Sequence, residues 1–261
     1  MSQFRLARLS LLLAAIGLNV LPALSHAQDA KPAAPAAGAP AAAPADTVRP
    51  EIFKLLDPAA VKASMDAKNY ADVQSRIDQA AATPALTPYE LFVINRLRVA
   101  LASTTNNAPM AMTALEAAIE SGKLDKKSQG DFIQALANYH YNAKDYTNAI
   151  KWFTRYQTDT GDVASVRPYI IRAYYFNNDF ARAKQELMSD LTAKQAAGKT
   201  PTIEELQLLA NTGSKSKDPA TYLIAMENLV RYYPSDDYWS DLLGRVQSKA
   251  GYSDRFALDV L

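Results

Sequence analysis

No cysteine occurs in the chain. That absence excludes disulfides, thiolate metal sites, a cysteine nucleophile and a lipid-modified cysteine as a membrane anchor. Histidine is confined to His26 and His140, so a zinc site has almost nothing to build on. Glycine is scarce, 9 in 261 residues. Gly122, Gly130 and Gly161 stand apart from one another, and no glycine-rich phosphate loop can be assembled from them. An excess of one charge is lacking too. The 28 basic and 27 acidic side chains leave no basic domain to grip phosphates, which argues against nucleic acid as a partner.

Catalytic constellations are equally sparse. Glu204-Glu205 and Asp236-Asp237 are adjacent in sequence, and neighbours on a helix point about 100° apart rather than toward each other. Both pairs read as acids in a first helical turn, where the helix dipole favours them. A serine nucleophile needs a base, and His140 is the one candidate. These observations lead to an expectation of no catalytic residue, no metal and no cofactor.

What is present favours helix. Hydrophobic residues make up 49% of the chain, with alanine and leucine dominant, and their propensities favour helix over strand. Residues 1–27 form a separate leader: Arg5 and Arg8, an apolar stretch from Leu9 to Leu24, then Ser25-His26-Ala27. This is the layout of a secretory signal cut after Ala27. The apolar stretch is short for a span and contains Asn19 and Pro22, so no integral membrane span is expected once the leader is gone. Residues 28–50 are mostly alanine and proline, and prolines that frequent break any alanine helix. They read as an extended, disordered spacer ahead of a folded domain over residues 51–261.

Within that domain two segments match at a spacing of 34 residues. Leu136-Ala137 aligns with Ile170-Ile171, the turn Lys144-Asp145-Tyr146 with Asn178-Asp179-Phe180, and Ala149-x3-Phe153 with Ala183-x3-Leu187. A further copy has Leu206-x2-Leu209-Ala210, a turn at Asp218-Pro219, then Tyr222-x3-Met226. Thr202-x2-Glu205 has the form of its capping box. Trp239-x2-Leu242-Leu243-x2-Val246, with Gly251-Tyr252 at a turn, begins another. The pattern resembles the tetratricopeptide repeat family, whose period is 34. The match is good from about residue 128. Upstream, the stretches Asp57 to Ile77, with Asn69-Tyr70 at a turn, and Ile94 to Leu115 read as helix pairs of open register, with Arg98 where a small residue belongs.

Two departures stand out: Arg167 at a position the family gives to a bulky apolar group, and Ile171 in place of a small residue. His140 falls at a packed aromatic position. The chain stops at Leu261 partway through a helix pair, so a fragment of a longer protein is expected.

The resemblance implies an all-α fold, a right-handed superhelical array of antiparallel helix pairs forming an α-solenoid, with the first helices lining a concave groove. Counting from the aligned leucines, that face carries Gln134, Asn138, Tyr141 and Asn142, then Arg172, Tyr175 and Phe176, then Gln207 and Asn211. Amides offer both donor and acceptor to a peptide backbone, Arg172 a fork for a carboxylate, and the rings a surface for side chains. With the leader, this makes the chain an exported, non-enzymatic scaffold, periplasmic or secreted, for a peptide or protein partner. A structural subunit of a cell-envelope assembly, and the non-catalytic front part of a longer protein, are the alternatives.

Overall fold

The structure, a computed structural model, describes residues 46–247. Among them the chain forms helices α1 Pro50–Leu55, α2 Pro58–Asp66, α3 Tyr70–Ala81, α4 Pro88–Thr105, α5 Ala108–Glu120, α6 Lys126–Asn142, α7 Tyr146–Thr160, α8 Arg167–Phe176, α9 Phe180–Ala196, α10 Ile203–Lys215, α11 Pro219–Tyr232 and α12 Asp236–Gln247. No strand occurs among the described residues, and the fold is all-α, as the sequence implies. The leader, most of the spacer and the turn expected at Gly251-Tyr252 lie outside the described residues. Pro50, the last proline of the expected spacer, is the first residue of α1.

One kind of turn, used five times, sets the helix pairs. A residue takes the left-handed conformation: Lys68, Asn106, Lys144, Asn178 and Lys217, with φ between 53° and 62°. The next residue, Asn69, Asn107, Asp145, Asp179 or Asp218, serves both helices. Its N–H donates to the carbonyl five residues back at 2.8–2.9 Å, closing the first helix. Its side-chain oxygen accepts from the backbone N–H three residues on, opening the second. Asparagine and aspartate suit this because a short side-chain oxygen reaches the orphan N–H groups of a helix start.

Counting from these caps aligns the core. Eight residues on stand Ile77, Leu115, Phe153, Leu187 and Met226, all buried. Eight residues back stand Val61, Val99, Ala137, Ile171 and Ala210, also buried. Four on, Ala111, Ala149 and Ala183 are fully enclosed, since a methyl group there lets the paired helices approach closely. The caps lie 38, 38, 34 and 39 residues apart, so the 34-residue period holds for one interval and the earlier pairs are longer. This register also corrects the reading of Arg98. Arg98 aligns with Leu136 and Val99 with Ala137, so Arg98 replaces a leucine rather than a small residue. It stays half-buried, its guanidinium donating to Asn95 Oδ1 at 3.3 Å.

The described residues divide into two compact units, one ending at Leu136 and the other beginning at Ala137. The first has a core of Ile52, Leu56, Val61, Val73, Ile77, Ala80, Ile94, Leu97 and Leu101. Each such leucine or isoleucine contributes about 1.5–3 kcal/mol when fully withdrawn from water. The six-residue α1 is held by Ile52 and by Arg49 just before it. Arg49 donates from Nε and Nη2 to the two carboxylate oxygens of Glu90, at 2.9 and 3.1 Å, and its backbone N–H adds a third bond at 3.0 Å. Glu90 is itself fully buried and closes the capping box of α4 with Thr87. Arg49 holds its carboxyl down at about 2.

The second unit contains the pairs that the sequence aligns best. Trp152 and Phe153 are enclosed on α7, and a core of Ile171, Leu187, Leu191, Leu206, Leu209, Met226, Leu229 and Leu242 joins α8 to α12. Arg167 is accommodated because α9 supplies acids opposite it: Nη2 lies 2.6 Å from Glu186 and Nε 2.8 Å from Asp190. Thr202 and Glu205 form the expected capping box on α10. Glu205 is also reached by Lys194 of α9 at 2.5 Å. Lys184 of α9 lies 2.8 Å from Asp218, and that contact, with the bonds from Thr221, holds the Asp218 carboxyl well below the usual range.

Candidate partner-binding face

The cap register sorts the residues that the sequence nominates. Asn138, Arg172 and Asn211 each lie seven residues before the cap of their turn, and all three are exposed. Tyr141 and Tyr175 lie four before and are half-buried; Asn142 and Phe176 lie three before and are exposed. Gln134 belongs to the first unit and is half-buried; the other eight belong to the second. Gln207 is engaged already, donating from Nε2 to the Tyr238 hydroxyl at 2.8 Å. Asn138, Asn142, Arg172 and Asn211 make no hydrogen bond or ion pair among the described residues.

The rings form a connected series. Tyr141 meets Tyr146, Tyr169 and Phe153 edge-on, at 5.6, 5.9 and 6.3 Å between centroids. Tyr146 stacks on Phe176 at 5.3 Å, and Tyr175 meets Phe176 and Phe180 edge-on at 5.5 and 5.7 Å. Such pairs add about 0.5–1.5 kcal/mol each beyond the area they bury. Burial pushes the Tyr141 phenol above its ordinary range, and the nearby Arg172 guanidinium opposes that rise. Tyr141 is therefore largely a packing ring beside Arg172, whereas Phe176 is 48% exposed and offers one face outward.

Three residues at this face escaped the sequence reading. Phe180, Asn178 and Lys215 join Tyr175 and Phe176 around a shallow depression of about 160 Å³. Lys215 was legible in principle. It lies three residues before the cap Asp218, as Phe176 lies three before Asp179, and the same count applied to the later turn reaches it. Phe180, the first residue of α9, carries no signal of this kind.

His140 is half-buried. Its Nδ1 stands 3.0 Å from Asp145 Oδ2, the carboxylate that also takes the side-chain amide of Asn148 at 2.7 Å. Burial pushes the Asp145 carboxyl up, but the bonds from Asn148 and His140 outweigh it and leave it lowered. The ring thus braces a turn. Among the described residues no group of three or more His, Cys, Asp or Glu side chains converges as a metal site would require. No described helix is long and apolar enough to cross a membrane.

No protein-family model matches the chain, and no curated protein matches it. Among solved structures it is similar to PilF of Pseudomonas aeruginosa, at 12% identity, covering 74% of this chain and 99% of that one, with a TM-score of 0.33. What stands on the chain's own geometry is an all-α succession of helix pairs joined by one repeated turn.

Proposed function

We propose that the protein is a non-enzymatic, periplasmic scaffold that binds a peptide or protein partner on the first-helix face of its second unit. One observation carries this reading. The first helices of this unit carry an exposed phenylalanine, Phe176, and leave Asn138, Asn142, Arg172 and Asn211 without a hydrogen bond or ion pair among the described residues, whereas Arg167 and Lys194 are paired. An aromatic anchor with open hydrogen-bonding groups beside it is the composition of a recognition surface rather than of a packed one. Export rests on the leader, Arg5 to Ala27.

The test is capture of a partner from envelope extract by the mature chain, followed by titration of that partner. Asn138→Ala and Arg172→Ala should each weaken binding by about 1–2 kcal/mol and leave thermal unfolding in place. Unchanged affinity in the double variant would remove this face from the function.

A further inference from the structure

The depression at the end of α8 has a chemical character of its own. Three of its five lining residues are aromatic: Tyr175, Phe176 and Phe180. Their ring positions are set by edge contacts among themselves and by Tyr146 behind Phe176. A side chain entering there meets a surface already ordered, which avoids much of the entropic cost of assembling one.

Charge supplies the second observation. Lys215 stands at the rim and Arg172 one turn before Tyr175, and neither makes a hydrogen bond or ion pair among the described residues. Residues 137–247 carry as many acidic as basic side chains, yet the positions seven, four and three before the caps Asp145, Asp179 and Asp218 include these two cations and no acid. An uncharged ligand would leave both cations unused, and a basic one would be repelled; carboxylates complement them.

We propose that the depression receives a bulky apolar side chain from an acidic peptide segment, with flanking aspartate or glutamate carboxylates on Lys215 and Arg172. This rests on the reading above that the face takes a peptide, and adds which kind. Apolar insertion anchors the segment, and the two cations select its charge and orient it.

The test uses the mature chain and three dye-labelled Gly/Ser peptides with central Glu-Phe-Glu, Lys-Phe-Lys or Glu-Ala-Glu, followed by fluorescence anisotropy. The Glu-Phe-Glu peptide should bind at least about tenfold more tightly than either of the others. Lys215→Glu should weaken it by about tenfold and turn the preference toward Lys-Phe-Lys; Phe176→Ala should weaken it with the charge preference kept. Helical circular dichroism and melting of each variant separate binding from folding. No binding of the Glu-Phe-Glu peptide at about 1 mM, equal affinity for the acidic and basic peptides, or indifference to Lys215→Glu would overturn the proposal. A captured natural partner that is lost in Asn138→Ala/Arg172→Ala but indifferent to Lys215→Glu and Phe176→Ala would overturn the depression alone and leave the face. Indifference to all four would remove both.

Discussion

A β-carbon on Gly213 would lie 2.6 Å from the backbone nitrogen of Tyr222. Gly213 stands on α10 and Tyr222 on α11, the pair in which the second-helix position held by Ala149 and Ala183 elsewhere is taken by a tyrosine. The small residue has moved to the facing helix, and the two backbones approach through the space that a glycine leaves. Gly213→Ala therefore places a methyl against main chain, which has no flexible end to swing aside. It should destabilise the second unit by about 1–3 kcal/mol, the usual cost of overpacking. Denaturant midpoints measure it. A variant as stable as the parent would mean that α10 and α11 cross elsewhere.

The caps of the repeated turns should each matter by the same mechanism. Asp179→Ala removes the acceptor for the Arg182 N–H and should cost about 1 kcal/mol. Asp145→Ala should cost more, because that carboxylate also holds Asn148 and the His140 ring. Equal penalties in thermal unfolding would show that neither the Asn148 side-chain bond nor the His140 contact adds to the cap.

The pair of Arg49 and Glu90 carries a pH dependence. The folded carboxyl titrates at about 2, below its ordinary 4.5. A depressed carboxylate contributes stability that is fully present above the ordinary value and is lost as the pH falls from 4.5 toward 2. Arg49→Met should destabilise the first unit at neutral pH by leaving a buried carboxylate short of its cation. That penalty should shrink across the same acidic interval. Midpoints for parent and variant at several pH values decide it, and a penalty independent of pH would place the effect of Arg49 in packing instead.

Export has a direct chemical readout. Protein recovered from the periplasm of a Gram-negative host should begin at Gln28 by intact-mass measurement. Membrane-bound material that still begins at Met1 would end the periplasmic proposal.

What was readable in advance divides along physical lines. Helix starts are local events: Thr202 with Glu205, or Asp145 three residues before the N–H it accepts, involve a handful of neighbouring residues and so leave a mark in the linear chain. The same holds for Ala149 and Phe153, one helical turn apart on a single face. Those signals were enough to determine an all-α chain of paired helices and the equivalence of Asn138, Arg172 and Asn211. The turn at Asn106-Asn107 is hidden from a 34-residue period because its cap lies 38 residues before Asp145 and 38 after Asn69, so a register copied from the later repeats slips against it.

Only the tertiary structure decided which polar groups are occupied. Arg167 finds Glu186 and Asp190 some twenty residues on, across a turn, and Gln207 finds Tyr238 on α12. Arg172 and Lys215, no different in type, find no such partner among the described residues. The series running from Tyr141 through Tyr146 and Phe176 to Phe180 likewise joins rings from α6, α7, α8 and α9. The reason is range. Propensity, capping and periodicity act within a turn or two of helix, whereas pairing between side chains depends on how successive helices are rotated and spaced, and that is set by packing that no single segment contains.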